Sequence, residues 1–340
     1  MRKLFFCRLF LACALPLGLA CNKNNESPPE GKIGDIVATL PMRFARDVVV
    51  VGDYAFVARD SLGVSVVDIR VPYSPVLVDS LPSQSESREL FAKYPRLYVA
   101  EFRGGITVFD ISNPASPVKL ATYPPAGNHT NDVFADDSRI YEAGGYGADG
   151  ILVIREASSG NILGTYTNSQ PDEMARGFSC VWVEGNYAYA GTNGGWLHII
   201  DVSNPSAPVR VGRYYNPGIT GYDVWLLDVL VSGTRAYLAD WGAGFIVLDV
   251  SDPQSPRELG VFKNVPDGPD FYDVVVDGNT AYTANGWGCL AVIDVSNPVN
   301  MSLILSVNPK GSSYLGIALY GNYAVVADNG GRQLAIIRVR

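Results

Sequence analysis

Histidine is nearly missing from this chain of 340 residues: His129 and His198 are the only two. A zinc site built on imidazoles, or a serine–histidine–aspartate relay, therefore has almost nothing to be built from. Positive charge is also scarce, with 26 Lys and Arg against 34 Asp and Glu and a net charge of −8. No basic cluster follows the first few residues, so the electrostatic grip on phosphate that nucleic-acid binders depend on is lacking, and nucleic acid is excluded as a partner. There is no phosphate loop, nucleophile elbow or redox CxxC. The glycine cluster "GGYGADG" lacks the strand-then-helix setting of a dinucleotide fingerprint. What the chain does have is apolar content: 47% hydrophobic residues against 18% charged describe a globular protein with ample core.

The N-terminal twenty residues place Arg2 and Lys3 ahead of an apolar stretch interrupted by Arg8 and Pro16. That stretch is too short and too broken for a membrane span, and residues 1–20 read as a secretory signal peptide. It ends in "LGLAC", which resembles the lipobox of bacterial lipoproteins, with Gly18 standing where leucine is usual. The resemblance implies cleavage before Cys21 and lipidation of that cysteine, hence a membrane partner through the lipid anchor and a place in the cell envelope, at the outer membrane or cell surface. Residues 21–32, polar and rich in Asn and Pro, read as a flexible tether, and the folded body is expected over 33–340. Of five cysteines, only Cys180 and Cys289 fall in that body; they lie in different repeats and are expected to be buried free thiols.

The body repeats itself. "VVDI", "VFDI", "IIDV", "VLDV" and "VIDV" place Asp68, Asp110, Asp201, Asp249 and Asp294 in one phase, and Arg155 and Arg338 are read into the same slot, giving seven copies. Upstream, Phe56, Tyr98, Tyr141, Tyr189, Tyr237 and Tyr282 share a second slot, closed by Val325. Each copy reads as four short strands separated by Gly/Asn/Asp hairpin turns and by an "SNP" or "SDP" turn in which proline fixes φ. Four strands at this period predict an all-β fold, a seven-bladed β-propeller of four-stranded antiparallel blades. The last copy has only three strands, and the orphan "IGDIVATLP" at residues 33–41 has the length and character of the missing outer one. The N-terminal strand is thus expected to close the last blade.

"GITVFDISNPASPV" and "GNYAYAG" resemble the LVIVD-repeat family of bacterial and archaeal cell-surface proteins. The resemblance degenerates in the third copy, where "REASSGN" replaces the Asp-Ile-Ser-Asn-Pro turn. It implies a propeller on a surface protein and implies no activity.

Aligning the copies without gaps yields one constellation. Asp47, Glu89, Asp132, Cys180, Asp228, Asp273 and Gly316 occupy equivalent places where inner strands open, so five carboxylates are expected to ring one mouth of the channel. They either cap backbone amides at their own loop-to-strand transitions, or raise one another's pKa and recruit a cation such as calcium or magnesium. No "DxDxDG" loop is present to fix such a metal. The loops on the same face are glycine-rich and supply Phe102, Tyr146, Trp196, Trp241 and Trp287, with Asp60, Glu101, Asp240 and Asp328 nearby, a composition suited to ligand binding. His198 matches Ser65 and Thr107 in mid-strand and reads as structural.

Two functions follow. The first is a non-catalytic envelope module that offers this loop face, with Asp240 and Asp328 beside the aromatics, to a protein, peptide or glycan, without a cofactor. The second is an envelope hydrolase or lyase working at the acidic mouth, with His129 and Asp132 as a proton-transfer pair and a divalent cation.

Overall fold

The computed structural model describes residues 31–125, 127–145, 150–168, 177–215, 224–266 and 268–340. Among them lie seven four-stranded antiparallel sheets. Their inner strands are Asp47–Val51, Ser87–Lys93, Thr130–Ala135, Phe178–Glu184, Trp225–Ser232, Phe271–Asp277 and Tyr314–Tyr320. Each inner strand packs on the next, and that of blade 7 packs on that of blade 1, so the sheets form a closed ring. Among the described residues, helix is confined to a single 3-10 turn, Pro298–Asn300.

Burial explains the strand sequences. The second and third strands of each blade, such as "RLYVAE" and "GITVFD" in blade 2, lie between neighbouring sheets and are almost wholly buried, so they read as continuous apolar runs rather than alternating ones. The outer strands, such as "VKLATY", are largely exposed. The core is accordingly divided into wedges between adjacent blades. One of them packs Met42, Val57 and Ile69 of blade 1 against Val325, Leu334 and Ile336 of blade 7.

Blade 7 is built from both ends of the described chain. Ile36–Pro41 pairs antiparallel with Gln333–Arg338, in a register that sets Leu40 opposite Leu334 and Ala38 opposite Ile336. The seam with blade 1 is held by Tyr320, whose hydroxyl donates to Asp53 at 2.8 Å, and by the Asn329 amide, which donates to the Ala45 carbonyl at 3.2 Å. Gly316 faces this seam: a Cβ there would come within 2.6 Å of the Asp47 Cα, so only glycine allows the two backbones to approach.

Blade 3 corrects one sequence assignment. Arg139, which opens its second strand, pairs with Glu156, as Arg96 pairs with Asp110 in blade 2. The phase slot of the third copy therefore belongs to Glu156, and Arg155 lies one place earlier, facing the interior. There its guanidinium donates to Glu142 at 2.9 and 3.0 Å and to the carbonyls of Pro124 and Gly160. Both partners of this ion pair are about 95% or more buried, and the surrounding hydrogen bonds satisfy a charge that would otherwise be costly to enclose. Arg338 does occupy the phase slot, opposite Tyr323.

Candidate functional site

Six of the seven inner strands begin two or three residues before the position that sequence alignment marks as their opening. In each of the six the register slips just ahead of that position, between Ser87 and Glu89, Thr130 and Asp132, Phe178 and Cys180, Leu226 and Asp228, Phe271 and Asp273, and Tyr314 and Gly316. One residue per strand is thus bulged out of the ladder: Arg88, Asn131, Ser179, Leu227, Tyr272 and Leu315. A bulge re-aims a side chain, and these six, with Arg46 in the equivalent place of blade 1, line a cavity of about 100 Å³ at the channel mouth. The repeat alignment gave no sign of this ring, although its members sit directly before the carboxylate ring.

Four of the five carboxylates below are fastened to the backbone, and each of the four reaches the following blade. Asp47, Asp132 and Asp228 each accept the amide of the next residue through Oδ1, from Val48, Val133 and Val229 at 2.6, 2.6 and 2.8 Å. Through Oδ2 they accept an amide of the following blade, from Leu90, Val181 and Val274 at 2.8, 2.7 and 3.1 Å. Asp273 does the same with Ile317 of blade 7 at 2.7 Å. Where Cys180 replaces the acid, the hydroxyl of Ser179 and the thiol of Cys180 donate instead to the Leu226 carbonyl of blade 5. The ring is therefore a set of clasps between blades.

Burial pushes the Asp47 carboxyl up to about 7, with the Asp228 charge adding to the effect and the Leu90 and Val48 amides opposing it. Asp132 and Asp273 are likewise driven well above the ordinary carboxylate range by burial, with the Asp228 and Asp47 charges adding to it, and Glu89 by burial and the charges of Asp47, Asp132 and Asp273. The Cys180 thiol is raised for the same reason, which makes it unreactive. Among the described residues no three His, Cys, Asp or Glu side chains are grouped so as to hold a metal ion.

The two residues of the alternative acid–base pair, His129 and Asp132, each have other partners in the structure. The His129 ring stacks on Phe102, with centroids 4.0 Å apart, and its pKa is lowered by burial and then by Arg103 and Arg88. Both Asp132 oxygens are engaged by Val133 and Val181. His198 is fully buried, edge-on to Phe178.

The loop-face residues divide into two groups. Asp240 and Asp328 are buried and turn inward as loop braces. Asp240 accepts the Ala243 amide at 3.0 Å, and Asp328 accepts the amides of Gly331 and Ser313 at 2.7 and 2.9 Å. Glu101 similarly accepts the Gln84 amide at 2.8 Å. Trp241 and Trp287 stay available, with Trp287 65% exposed. Together with Tyr272 and the glycines at 286, 311 and 330 they line a pocket of about 390 Å³, within the range of small-ligand sites. Trp225, which sequence reading missed, packs against Trp241 with centroids 4.8 Å apart. Trp196 lies apart, stacked on Tyr215 beneath the Arg213 guanidinium. Tyr146 and Cys21 lie outside the described residues.

This is a seven-bladed β-propeller with an aromatic pocket beside its channel mouth. The chain belongs to the LVIVD-repeat family: the LVIVD repeat matches residues 42–82, 95–124, 177–216, 227–263, 270–309 and 314–338. The matched segments leave out blade 3, the blade that carries the buried Arg155–Glu142 pair. No curated protein matches. Two solved structures share the fold: the computationally designed Ika8 protein (11% identity, TM-score 0.64, covering 90% of this chain and 100% of that one) and Saccharomyces cerevisiae Sqt1 (9% identity, TM-score 0.66, covering 91% and 100%).

Proposed function

We propose that the protein is a non-catalytic binding module of the cell envelope, held to a membrane through a lipidated Cys21, which takes part of a protein, peptide or glycan into the pocket between Trp241, Tyr272 and Trp287. The observation that supports this is the pocket itself. It is a cleft of about 390 Å³ whose aromatic faces remain open while its glycines leave room for a backbone or a sugar ring. Aromatic rings supply large contact area at little entropic cost. The carboxylates of the ring support the non-catalytic reading because backbone amides occupy Asp47, Asp132 and Asp228 on both oxygens.

Tryptophan emission tests the pocket when the protein is titrated with an N-acetylglucosamine tetrasaccharide and, separately, with an unstructured peptide. One of the two should perturb the emission saturably, and the change should disappear in a Trp241→Ala/Trp287→Ala double variant that keeps its β circular dichroism. No saturable change with either probe sinks the assignment. The anchor is tested separately: Cys21→Ala should move the protein from the membrane fraction to the soluble one, or leave it uncleaved.

A further inference from the structure

We propose that the channel mouth is a second binding site, for a carboxylate group, held between the guanidiniums of Arg46 and Arg88 and assisted by Asn131 and Ser179. This goes beyond the aromatic pocket and does not depend on it.

The bulges bring Arg88, Asn131 and Ser179 to one small cavity of about 100 Å³, where Arg46, just ahead of the first inner strand, joins them. Arg88 is half-buried there, its guanidinium 3.5 Å from the Phe102 centroid, on a ring that also stacks against His129. It donates only a long bond, at 3.3 Å, to Asn131 Oδ1. Arg46 keeps a buried Nε–H that has no hydrogen-bond partner. Neither guanidinium forms an ion pair with a described residue. Two half-buried cations facing one cavity without an ion-pair partner, one of them with a buried Nε–H unmatched, is a costly arrangement unless an anion completes it.

The neighbouring charges agree. Arg88 is pushed down to about 10 by burial and then by Arg46, against the weaker pull of Glu86, Glu89 and Asp60. Glu89, the acid that lines the same cavity, is itself driven well above the ordinary range, by burial and then by the Asp47, Asp132 and Asp273 charges, which weakens it as a counter-ion. With two arginines and one acid in its lining, the cavity carries more positive than negative charge. A planar monoanion suits it better than a phosphate dianion: guanidinium forks match carboxylates edge to edge, and the acid ring beneath resists a second negative charge.

The test is a thermal melt of the purified protein at pH 7 and constant ionic strength, with sodium acetate replacing sodium chloride and inorganic phosphate in a parallel arm. A ligand that binds only the folded state raises Tm in proportion to its occupancy. The expected result is a saturable rise with acetate that exceeds the rise with phosphate. Arg46→Gln and Arg88→Gln should each shrink the acetate shift at least twofold, and Arg88→Lys, which keeps charge but loses the planar fork, should retain part of it. If a glutamine variant does not fold, Arg46→Lys, which removes the Nε–H, carries the comparison. A flat acetate response, an equal shift in the variants, or a larger shift with phosphate than with acetate overturns the proposal.

Discussion

Asp132 and Asp201 are the same side chain at opposite ends of neighbouring blades, and they answer to opposite forces. Asp201, at the end of a third strand, accepts the amide of Ser203 two residues on at 2.9 Å. The Ser203 hydroxyl and amide hold its carboxyl below the ordinary range. Asp68, Asp110, Asp249 and Asp294 repeat this turn. Asp132, at the channel end, bridges its own strand to the next blade, and burial drives its carboxyl up. An aspartate that recurs in phase can thus have two physical causes. One is the local chemistry of a turn, complete within three residues; the other is a bond between repeats, which exists only once the ring has assembled.

The largest effect should separate the two directly. Asp132→Ala leaves the amides of Val133 and Val181 without their acceptor, and each buried unsatisfied group costs about 1–3 kcal/mol. Urea denaturation should therefore show a loss of about 2–6 kcal/mol. A loss under 1 kcal/mol would mean that water replaces the clasp.

The pH dependence comes next. The folded Asp47 carboxyl titrates near 7 and the unfolded one near 3.8. Between these values the native state holds more protons than the unfolded chain, so stability falls as pH rises through that window. The contribution is fully present below about 4 and lost above about 7. Asp132, Asp273 and Glu89 act in the same direction. The depressed turn aspartates act oppositely, but only as pH falls through the ordinary aspartate range and below it. Tm should therefore be several degrees higher at pH 5.5 than at pH 8, and a Tm that rises over that interval would break the comparison.

The smallest effect belongs to the turns. Asp201→Ala removes one bond at an exposed site and should cost about 0.5–1.5 kcal/mol, with little influence on the pH profile between 5.5 and 8. If it matched Asp132→Ala in both respects, the two rings would be one kind of device.

The period, the number of blades and the closing strand were legible because each leaves a mark in chain order: a phase residue, a turn, a strand without a partner. The carboxylate ring was legible for the same reason. The bulge ahead of it was not, since it recurs in at least six blades and a gapless alignment passes over an extra residue that nearly every copy shares. Arg88 and Tyr272 were therefore missed, although each is one residue from a marked position. Arg155 was misassigned because it and Glu156 are adjacent, and spacing that already varies from copy to copy cannot choose between neighbours. Asp240 and Asp328 sit at strand ends beside glycine-rich loops that look solvent-facing, and nothing in composition says that such an acid turns inward to brace the turn. The Trp241–Tyr272–Trp287 cleft spans blades 5 and 6, so only its individual tryptophans could be picked out.

The strand that closes blade 7 also imposes an order in time. Ile36–Pro41 precedes every other strand of the propeller in chain order, and its partner, Gln333–Arg338, follows six complete blades. The first strand must remain without its sheet until the strands of the last blade reach it. Joining ends separated by about 300 residues costs about 5 kcal/mol of chain entropy, a cost that falls sharply once those six blades have stacked and brought the ends near one another. Completion of the ring is then the last event of folding, and until it happens the chain carries two open sheet edges that another copy could join.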